Sequence, residues 1–250
     1  MTISSPLRAP TTARSVQPVS AEFKLLLKPD AFEDAREGVE DYWDKVQEVA
    51  GQLGYDSGEE LAPEGERTIS FLDTDDFELR DHGYLLRVRQ AGETELTLKY
   101  RSLDREDAAS KDLSSTVPGE PKFEMDVTRR DLFSQSNTIE VDHLPDRISD
   151  CQKLFPGLDL PDEELNRVKD RQVQEKNFKL GRVTLPDGST AKAGMSLWYE
   201  GKSPLLAEFS FRIPLEDGQS ASEPGARRLL EALRQCSDTL DGTKTDFIYA

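Results

Sequence analysis

The chain has 250 residues, with 32 lysines and arginines against 49 aspartates and glutamates, for a formal net charge of −17. This acidity argues against binding to nucleic acid, because affinity for a phosphate backbone comes mainly from lysine and arginine, and against binding to an anionic membrane surface. No apolar run approaches the roughly 20 residues of a membrane span. The two cysteines (Cys151, Cys236) and two histidines (His82, His143) form neither a disulfide framework nor a zinc motif. We therefore predict a soluble cytoplasmic protein with free thiols.

The N-terminal part divides into a tail, a strand and a helix. Residues 1–19 are rich in serine, threonine, proline and alanine, which predicts a disordered tail. Arg8 and Arg14 leave an organellar transit peptide as the alternative. A strand is predicted over residues 21–28, where apolar residues alternate. A helix is predicted over residues 37–53, where apolar residues recur at helical spacing.

The most informative segment is a predicted hairpin around a loop at residues 91–93. The register that aligns its apolar residues pairs Val88 with Leu96 and Leu86 with Leu98. That register needs an odd-numbered loop, and the central glycine suits one. Because side chains alternate across a strand, the opposite face is polar and mostly basic: Arg87, Arg89, Thr97, Lys99 and Arg101.

The remaining chain is also rich in predicted strands. These lie at residues 67–73, 122–128, 167–175, 190–199 and 205–214. A short helix is predicted within 144–155, and a further helix is predicted after Ser222, which we expect to cap it. The polar segment 104–119 is predicted to be a long loop, with disorder as a second interpretation. With no βαβ alternation, these elements indicate an antiparallel sheet or barrel with helices outside it.

Most predicted strands have one apolar and one charged face, which has two interpretations. In an open sheet the charged face meets solvent. In a closed tunnel it lines the interior, and the apolar face lies under helices. The tunnel explains why basic residues cluster by strand in an acidic chain. Its lining would suit a polyanion held with Mg²⁺ or Mn²⁺, since lysine and arginine bind phosphate and carboxylates bind these metals.

A set of motifs along the strands resembles the CYTH-domain superfamily, also called triphosphate tunnel metalloenzymes. In chain order they are Glu22-Phe23-Lys24, Phe71-Leu72-Asp73-Thr74, Leu86-Arg87-Val88-Arg89, Thr97-Leu98-Lys99-Tyr100-Arg101, Phe123-Glu124-Met125-Asp126, the basic segment 167–171, Ala207-Glu208-Phe209-Ser210 and Thr243-Lys244. The resemblance covers residues 20–250. It implies one β-dominated α+β domain, a closed eight-stranded antiparallel β-tunnel with flanking helices.

The resemblance also implies an activity and a site. The expected enzyme is a metal-dependent hydrolase of a small triphosphate, either inorganic triphosphate or an organic one such as thiamine triphosphate, with Mg²⁺ or Mn²⁺ as cofactor. Predicted phosphate contacts are Lys24, Arg87, Arg89, Lys99, Arg101, Arg171 and Lys244. Predicted metal ligands are Glu22, Glu124 and Glu208. Predicted catalytic residues are Lys24, Glu124 and Asp126.

The chain departs from the family pattern mainly in its acids. Ser20 and Ser210 stand where the family has glutamates, and Trp198-Tyr199 stands where an aspartate-containing strand end is expected. The basic residues of the family pattern are thus all present in this chain, whereas some of its acidic residues are missing. Two alternatives remain beside the triphosphatase: a non-catalytic module that binds polyphosphate or a nucleotide, and a class IV-type adenylate cyclase.

Overall fold

The computed structural model describes residues 16–250. Within them the strands are β1 (Ser20–Leu27), β2 (Asp56–Asp73), β3 (Tyr84–Ala91), β4 (Glu93–Ser102), β5 (Gly119–Val127), β6 (Asp131–Glu140), β7 (Asn166–Arg167), β8 (Val173–Thr184), β9 (Thr190–Glu200) and β10 (Ser203–Pro214). The α-helices are α1 (Ala35–Gln52), α2 (Glu78–Asp81), α3 (Arg105–Ser110), α4 (Ile148–Leu154), α5 (Glu223–Cys236) and α6 (Lys244–Tyr249). Single-turn 3₁₀ helices lie at Pro29–Phe32 and Val168–Asp170.

The strands form one sheet that closes on itself. Neighbours follow the order β3-β4-β6-β5-β1-β10-β9-β8-β2, and β2 pairs again with β3. The nine strands of this ring pair antiparallel except β1 and β5, which are parallel. A ring with an odd number of strands cannot alternate direction throughout, so one parallel pair is required. The predicted β-dominated α+β tunnel is confirmed, with nine strands where eight were predicted.

The predicted hairpin forms between β3 and β4 in the predicted register. Val88 lies opposite Leu96 and Leu86 lies opposite Leu98. Gly92 at the turn has a φ of 99°, a conformation that a residue with a side chain rarely adopts. The apolar face of the hairpin is fully buried, and the basic face points into the ring.

Apolar side chains on the outside of the ring pack under the helices. On one side, Phe23 of β1 stacks on Phe211 of β10 with ring centroids 4.9 Å apart, in the same core as Trp43 of α1 and Leu229 of α5. On the other side, the apolar face of the β3–β4 hairpin packs with residues of α3 and α4, including Cys151. Because both helix pairs cover apolar faces, the charged faces of the strands are directed inward.

The segment 104–119 contains α3 and is an ordered part of this second core, so the predicted long loop and its alternative, disorder, are both wrong. Asp104 caps α3 by accepting the backbone N–H groups of Glu106 and Asp107. Leu113 is buried, and the Asn137 side chain donates to its carbonyl oxygen at 2.9 Å. The short helix α3 and the buried Leu113 hold this segment in place, although its low apolar content predicts a loop.

The helix after Ser222 is present as α5, but the predicted side-chain cap is not. The Ser222 hydroxyl instead donates to the Asp187 carboxylate at 2.7 Å, and Ser222 itself has helical backbone angles. This contact ties the start of α5 to the turn between β8 and β9.

Most of the predicted disordered tail, residues 1–15, lies outside the described residues. Residues 16–19 are described, and the backbone N–H of Val19 donates to the carbonyl of Phe123 at 2.9 Å. Both cysteines are free, Cys151 buried and Cys236 exposed. No helix within residues 16–250 combines the length and the apolar composition needed to cross a membrane.

Candidate functional site

The ring of strands encloses a cavity of about 390 Å³. All predicted site residues except Arg171 line it. Alternate residues of each strand point inward, which is why Arg87 and Arg89 of β3 share the cavity with Thr97, Lys99 and Arg101 of β4. The tunnel interpretation of the charged strand faces is therefore correct for these residues.

The β3–β4 wall is basic and incompletely hydrogen-bonded. Arg87 donates to Thr97 at 3.3 Å and Arg101 donates to Thr245 at 3.1 Å. Among the described residues, the buried Nε atoms of Arg87, Arg89 and Arg101 have no hydrogen-bond partner. Burial, and then the neighbouring Arg89 guanidinium, hold the pKa of Arg87 well below its usual range. This wall therefore places several positive charges and free donors in one buried space.

Asp126 of β5 is the centre of the first ion-pair cluster. Its carboxylate lies 2.7 Å from the Lys24 ammonium and 3.2 Å from that of Lys99, and it accepts the Ser134 hydroxyl at 2.8 Å. Burial alone would raise the pKa of Asp126, but the neighbouring Lys24, Lys99 and Arg101 outweigh it and hold the pKa well below its usual range. Asp126 is thus a fixed anion that positions three of the predicted phosphate contacts.

The two lysines beside Asp126 differ in their protonation. Burial would lower the pKa of Lys24, but Asp126 and Glu22 together raise it. For Lys99, burial prevails over the attraction of Asp126, and the pKa falls to about 8. Lys99 therefore loses its charge as the pH rises through about 8, whereas Lys24 stays charged at that pH.

A second ion-pair cluster centres on Glu175 of β8, which the sequence did not single out. Its carboxylate contacts the Arg67 guanidinium and lies 3.2 Å from the Lys244 ammonium. It also accepts the Trp198 indole N–H at 2.8 Å. Glu175 is 1% exposed. Burial raises its pKa, but the nearby cations, Lys244 first, prevail and lower it.

Lys244 enters the cavity from the first turn of α6. A capping box at Thr243 and Asp246 fixes this helix: the Asp246 carboxylate accepts the Thr243 backbone N–H at 2.8 Å. The Lys244 ammonium then contacts Glu208 at 3.0 Å and donates to Ser196 at 2.7 Å. Lys244 therefore lines the cavity together with the other predicted phosphate contacts except Arg171.

Arg171 does not line the cavity, which corrects its predicted place in the phosphate site. The predicted strand 167–175 is interrupted, because Lys169 and Asp170 adopt positive φ angles of 51° and 53°. Arg171 therefore precedes β8 and donates to the carbonyl oxygen of Phe247 at 2.9 Å, over whose ring it also lies. Its contact holds the C-terminal helix rather than facing the tunnel.

The motif containing Asp73 also has a structural explanation. The Asp73 carboxylate is 1% exposed and accepts the backbone N–H groups of Thr74, Leu79 and Arg80. It accepts the Tyr249 hydroxyl as well, at 2.9 Å. Asp73 therefore fixes α2 and the end of the chain, and it does not line the cavity.

The three predicted metal ligands all line the cavity, but each contacts a basic side chain. Glu22 lies 2.9 Å from Lys24 and Glu208 lies 3.0 Å from Lys244. Glu124 lies 3.2 Å from Arg212. Within residues 16–250, no group of three or more histidine, cysteine, aspartate or glutamate side chains is placed to hold a metal ion. In this arrangement the donor set does not fit Mg²⁺ or Mn²⁺, so no chemical step is assigned to a metal here.

Comparison with known proteins gave structural neighbours only. No family model and no curated protein matches the chain. A candidate adenylyl cyclase from Hippeastrum with a dominant triphosphatase activity is 12% identical, with a TM-score of 0.49 over 91% of this chain and 93% of that one.

Two candidate adenylate cyclases are also similar. One from Bacillus halodurans is 13% identical, with a TM-score of 0.47 over 93% of this chain and 98% of that one. One from Vibrio parahaemolyticus is 12% identical, with a TM-score of 0.41 over 94% and 100% of the two chains. Because these TM-scores lie below 0.5, nothing about this chain's activity follows from them. The chain's resemblance to the CYTH-domain superfamily rests on its own ordered motifs and its closed ring of strands.

Proposed function

We propose that the tunnel binds a small triphosphate and hydrolyses one of its phosphoric anhydride bonds. The observation that supports this most directly is that the Nε atoms of Arg87, Arg89 and Arg101 have no hydrogen-bond partner among the described residues, although that of Arg101 lies 3.9 Å from the Asp126 carboxylate. A guanidinium stays charged in a protein and offers five donors. Burying several together with some donors left without acceptors is unfavourable. A ligand with many anionic oxygens would supply the acceptors.

The charge balance of the cavity favours the same ligand class. Among the described residues, nine basic and six acidic side chains line the tunnel, although the whole chain has a net charge of −17. The acids concentrate around Lys24, Arg212 and Lys244, and no salt bridge within the described residues involves Arg87 or Arg89. A polyanion placed against these arginines would meet positive charge without displacing an existing ion pair. The cavity volume suits a small phosphate compound rather than a polymer.

The proposed chemistry is attack of a water molecule on the terminal phosphorus of the triphosphate. The bond from that phosphorus to the bridging oxygen breaks, giving phosphate and diphosphate (or the organic diphosphate), and the proton displaced from the water is released to solvent. The β3–β4 arginines and Lys99 would stabilise the negative charge on the transferred group and on the leaving diphosphate. Glu124 is our candidate for orienting the water. We assign Asp126 mainly to positioning Lys24 and Lys99, because its low pKa makes it a weak base.

The test is phosphate release from inorganic triphosphate, ATP and thiamine triphosphate, each with Mg²⁺, with Mn²⁺ and with a chelator. We expect release from at least one substrate and its loss in Lys99→Ala and in Glu124→Gln. Lys192→Ala is the matched control, because Lys192 is an exposed lysine of β9 that does not line the cavity. Release by the two tunnel variants at the wild-type rate would refute the proposal. Formation of cyclic AMP from ATP would instead assign the cyclase.

The second candidate is a binding module without turnover. It is favoured by the pairing of Glu22, Glu124 and Glu208 with basic side chains, because a cation at each carboxylate weakens it as a base and competes with a metal ion. It predicts calorimetric binding of inorganic triphosphate with no phosphate release under any metal condition. Turnover that disappears in Glu124→Gln would rule it out.

A further inference from the structure

Arg212 occupies a position between the acids that the family pattern assigns to a metal ion. On β10 it lies opposite Glu22 of β1 in the sheet register. Its Nη2 atom is 3.3 Å from the Glu22 carboxylate and 3.2 Å from the Glu124 carboxylate. One guanidinium nitrogen therefore bridges two acidic side chains from neighbouring strands, as a divalent cation would.

The other groups around this position also suit a guanidinium better than a metal. Ser20, where the family has a glutamate, donates its hydroxyl to Glu124 at 3.2 Å instead of adding a third carboxylate. Glu22 already lies 2.9 Å from the Lys24 ammonium. Each lost carboxylate weakens a Mg²⁺ site, and the fixed charges of Arg212 and Lys24 repel an incoming cation. Arg212 is a permanent charge, since the attraction of Glu22 and Glu124 overcomes burial and raises its pKa.

We propose that Arg212 takes the place of the divalent metal ion in this tunnel, so that the chain binds its triphosphate without a metal. The inference rests on the proposed function, that the tunnel binds triphosphate. The guanidinium neutralises Glu22 and Glu124, which would otherwise repel the ligand. Arg212 lines the cavity with its side chain 46% exposed, and its salt bridges within residues 16–250 use only Nη2, so its remaining N–H groups can meet phosphate oxygens.

The first test titrates Mn²⁺ alone and follows free Mn²⁺ by electron paramagnetic resonance. Wild type and Arg182→Gln, an exposed arginine of β8 outside the cavity, should bind no Mn²⁺ in the tunnel. Arg212→Gln should gain one Mn²⁺ site per chain, because Glu124 loses its salt bridge and Glu22 keeps only its contact with Lys24. Adding Glu22→Gln to Arg212→Gln should remove that site. A wild-type Mn²⁺ site that Glu22→Gln abolishes would overturn the inference, and this outcome does not depend on the folding of Arg212→Gln.

The second test titrates inorganic triphosphate by calorimetry. Wild type should bind it equally well in chelator and in Mg²⁺. The affinity of Arg212→Gln for triphosphate should fall roughly tenfold in chelator, which is the effect of one charge-assisted hydrogen bond. This affinity should recover in Mn²⁺. Wild-type binding that requires Mg²⁺ would overturn the inference. Absence of triphosphate binding under every condition would refute the proposed function, while the Mn²⁺ titration would still decide whether Arg212 holds the metal position.

Discussion

Replacing Asp126 with asparagine tests whether this residue balances the charge of the tunnel. The Asp126 side chain is 4% exposed and contacts Lys24 at 2.7 Å and Lys99 at 3.2 Å. Removing one partner of a buried ion pair costs about 3–5 kcal/mol. For a chain of this size, 1 kcal/mol moves the melting temperature by about 2–4 °C. A loss of about 3 kcal/mol therefore predicts a fall of roughly 6–12 °C for Asp126→Asn in ligand-free protein.

The same substitution should tighten triphosphate binding at a pH low enough for Lys99 to keep its charge without Asp126, because the cavity then gains one unit of positive charge. We expect an affinity increase of roughly tenfold, equivalent to about 1.4 kcal/mol, and a larger thermal stabilisation by triphosphate than in wild type. Thermal unfolding with and without inorganic triphosphate measures both effects. Ser134→Ala is the control, since it removes only one hydrogen bond to Asp126 and should lower the melting temperature less. An Asp126→Asn protein that is as stable as wild type and binds no more tightly would refute the charge-balance account.

Three further predictions address the pH dependence, the basic wall and the outer core. Lys99 has a pKa of about 8, and bound triphosphate favours its charged form, so affinity is full below pH 8 and falls above it. If the ligand restores the usual pKa, the fall is roughly 20-fold between pH 7.5 and 9.5. In calorimetry, the triphosphate affinity of Lys99→Arg should not show this fall with pH. An equal fall in both proteins would contradict the assignment of the pH dependence to Lys99. Arg87→Met should stabilise the ligand-free protein by about 1 kcal/mol or more and weaken triphosphate binding. Urea unfolding that shows a loss of stability would contradict that account. Leu98→Ala should lower the unfolding free energy by about 2–5 kcal/mol with triphosphate affinity unchanged, because Leu98 faces the helices; altered affinity would contradict its assigned position.

The hairpin was predictable because local pattern and tertiary structure demand the same arrangement. Only one register buries Val88 with Leu96, and the same register places the arginines on the other face. Once helices cover the apolar face, the basic face must line the cavity. The same alternation of apolar and charged residues predicted which faces of the other strands are buried. The odd number of strands could not be predicted, because it depends on the long-range pairing of β1 with β5, which no local pattern specifies.

Other parts of the site depend on contacts between residues distant in sequence. Glu175 was not predicted as a site residue, because it is the last residue of a predicted strand that otherwise stood out for its basic residues. Its partners Arg67 and Lys244 come from β2 and α6. The family resemblance predicted Arg171 inside the tunnel, but two residues with positive φ before it break the strand. The role of Arg212 emerges only when Glu22 and Glu124 are known to lie side by side.

Calorimetric titration of inorganic triphosphate into wild type and the Arg87→Met/Arg89→Met double variant tests the central claim most directly. We predict one site per chain in wild type and an affinity loss of roughly a hundredfold or more in the double variant, since two charged donors are removed. Arg182→Met, on an exposed arginine outside the cavity, should bind like wild type. No binding by wild type, or equal binding by the double variant, would contradict the assignment of the tunnel as a triphosphate site.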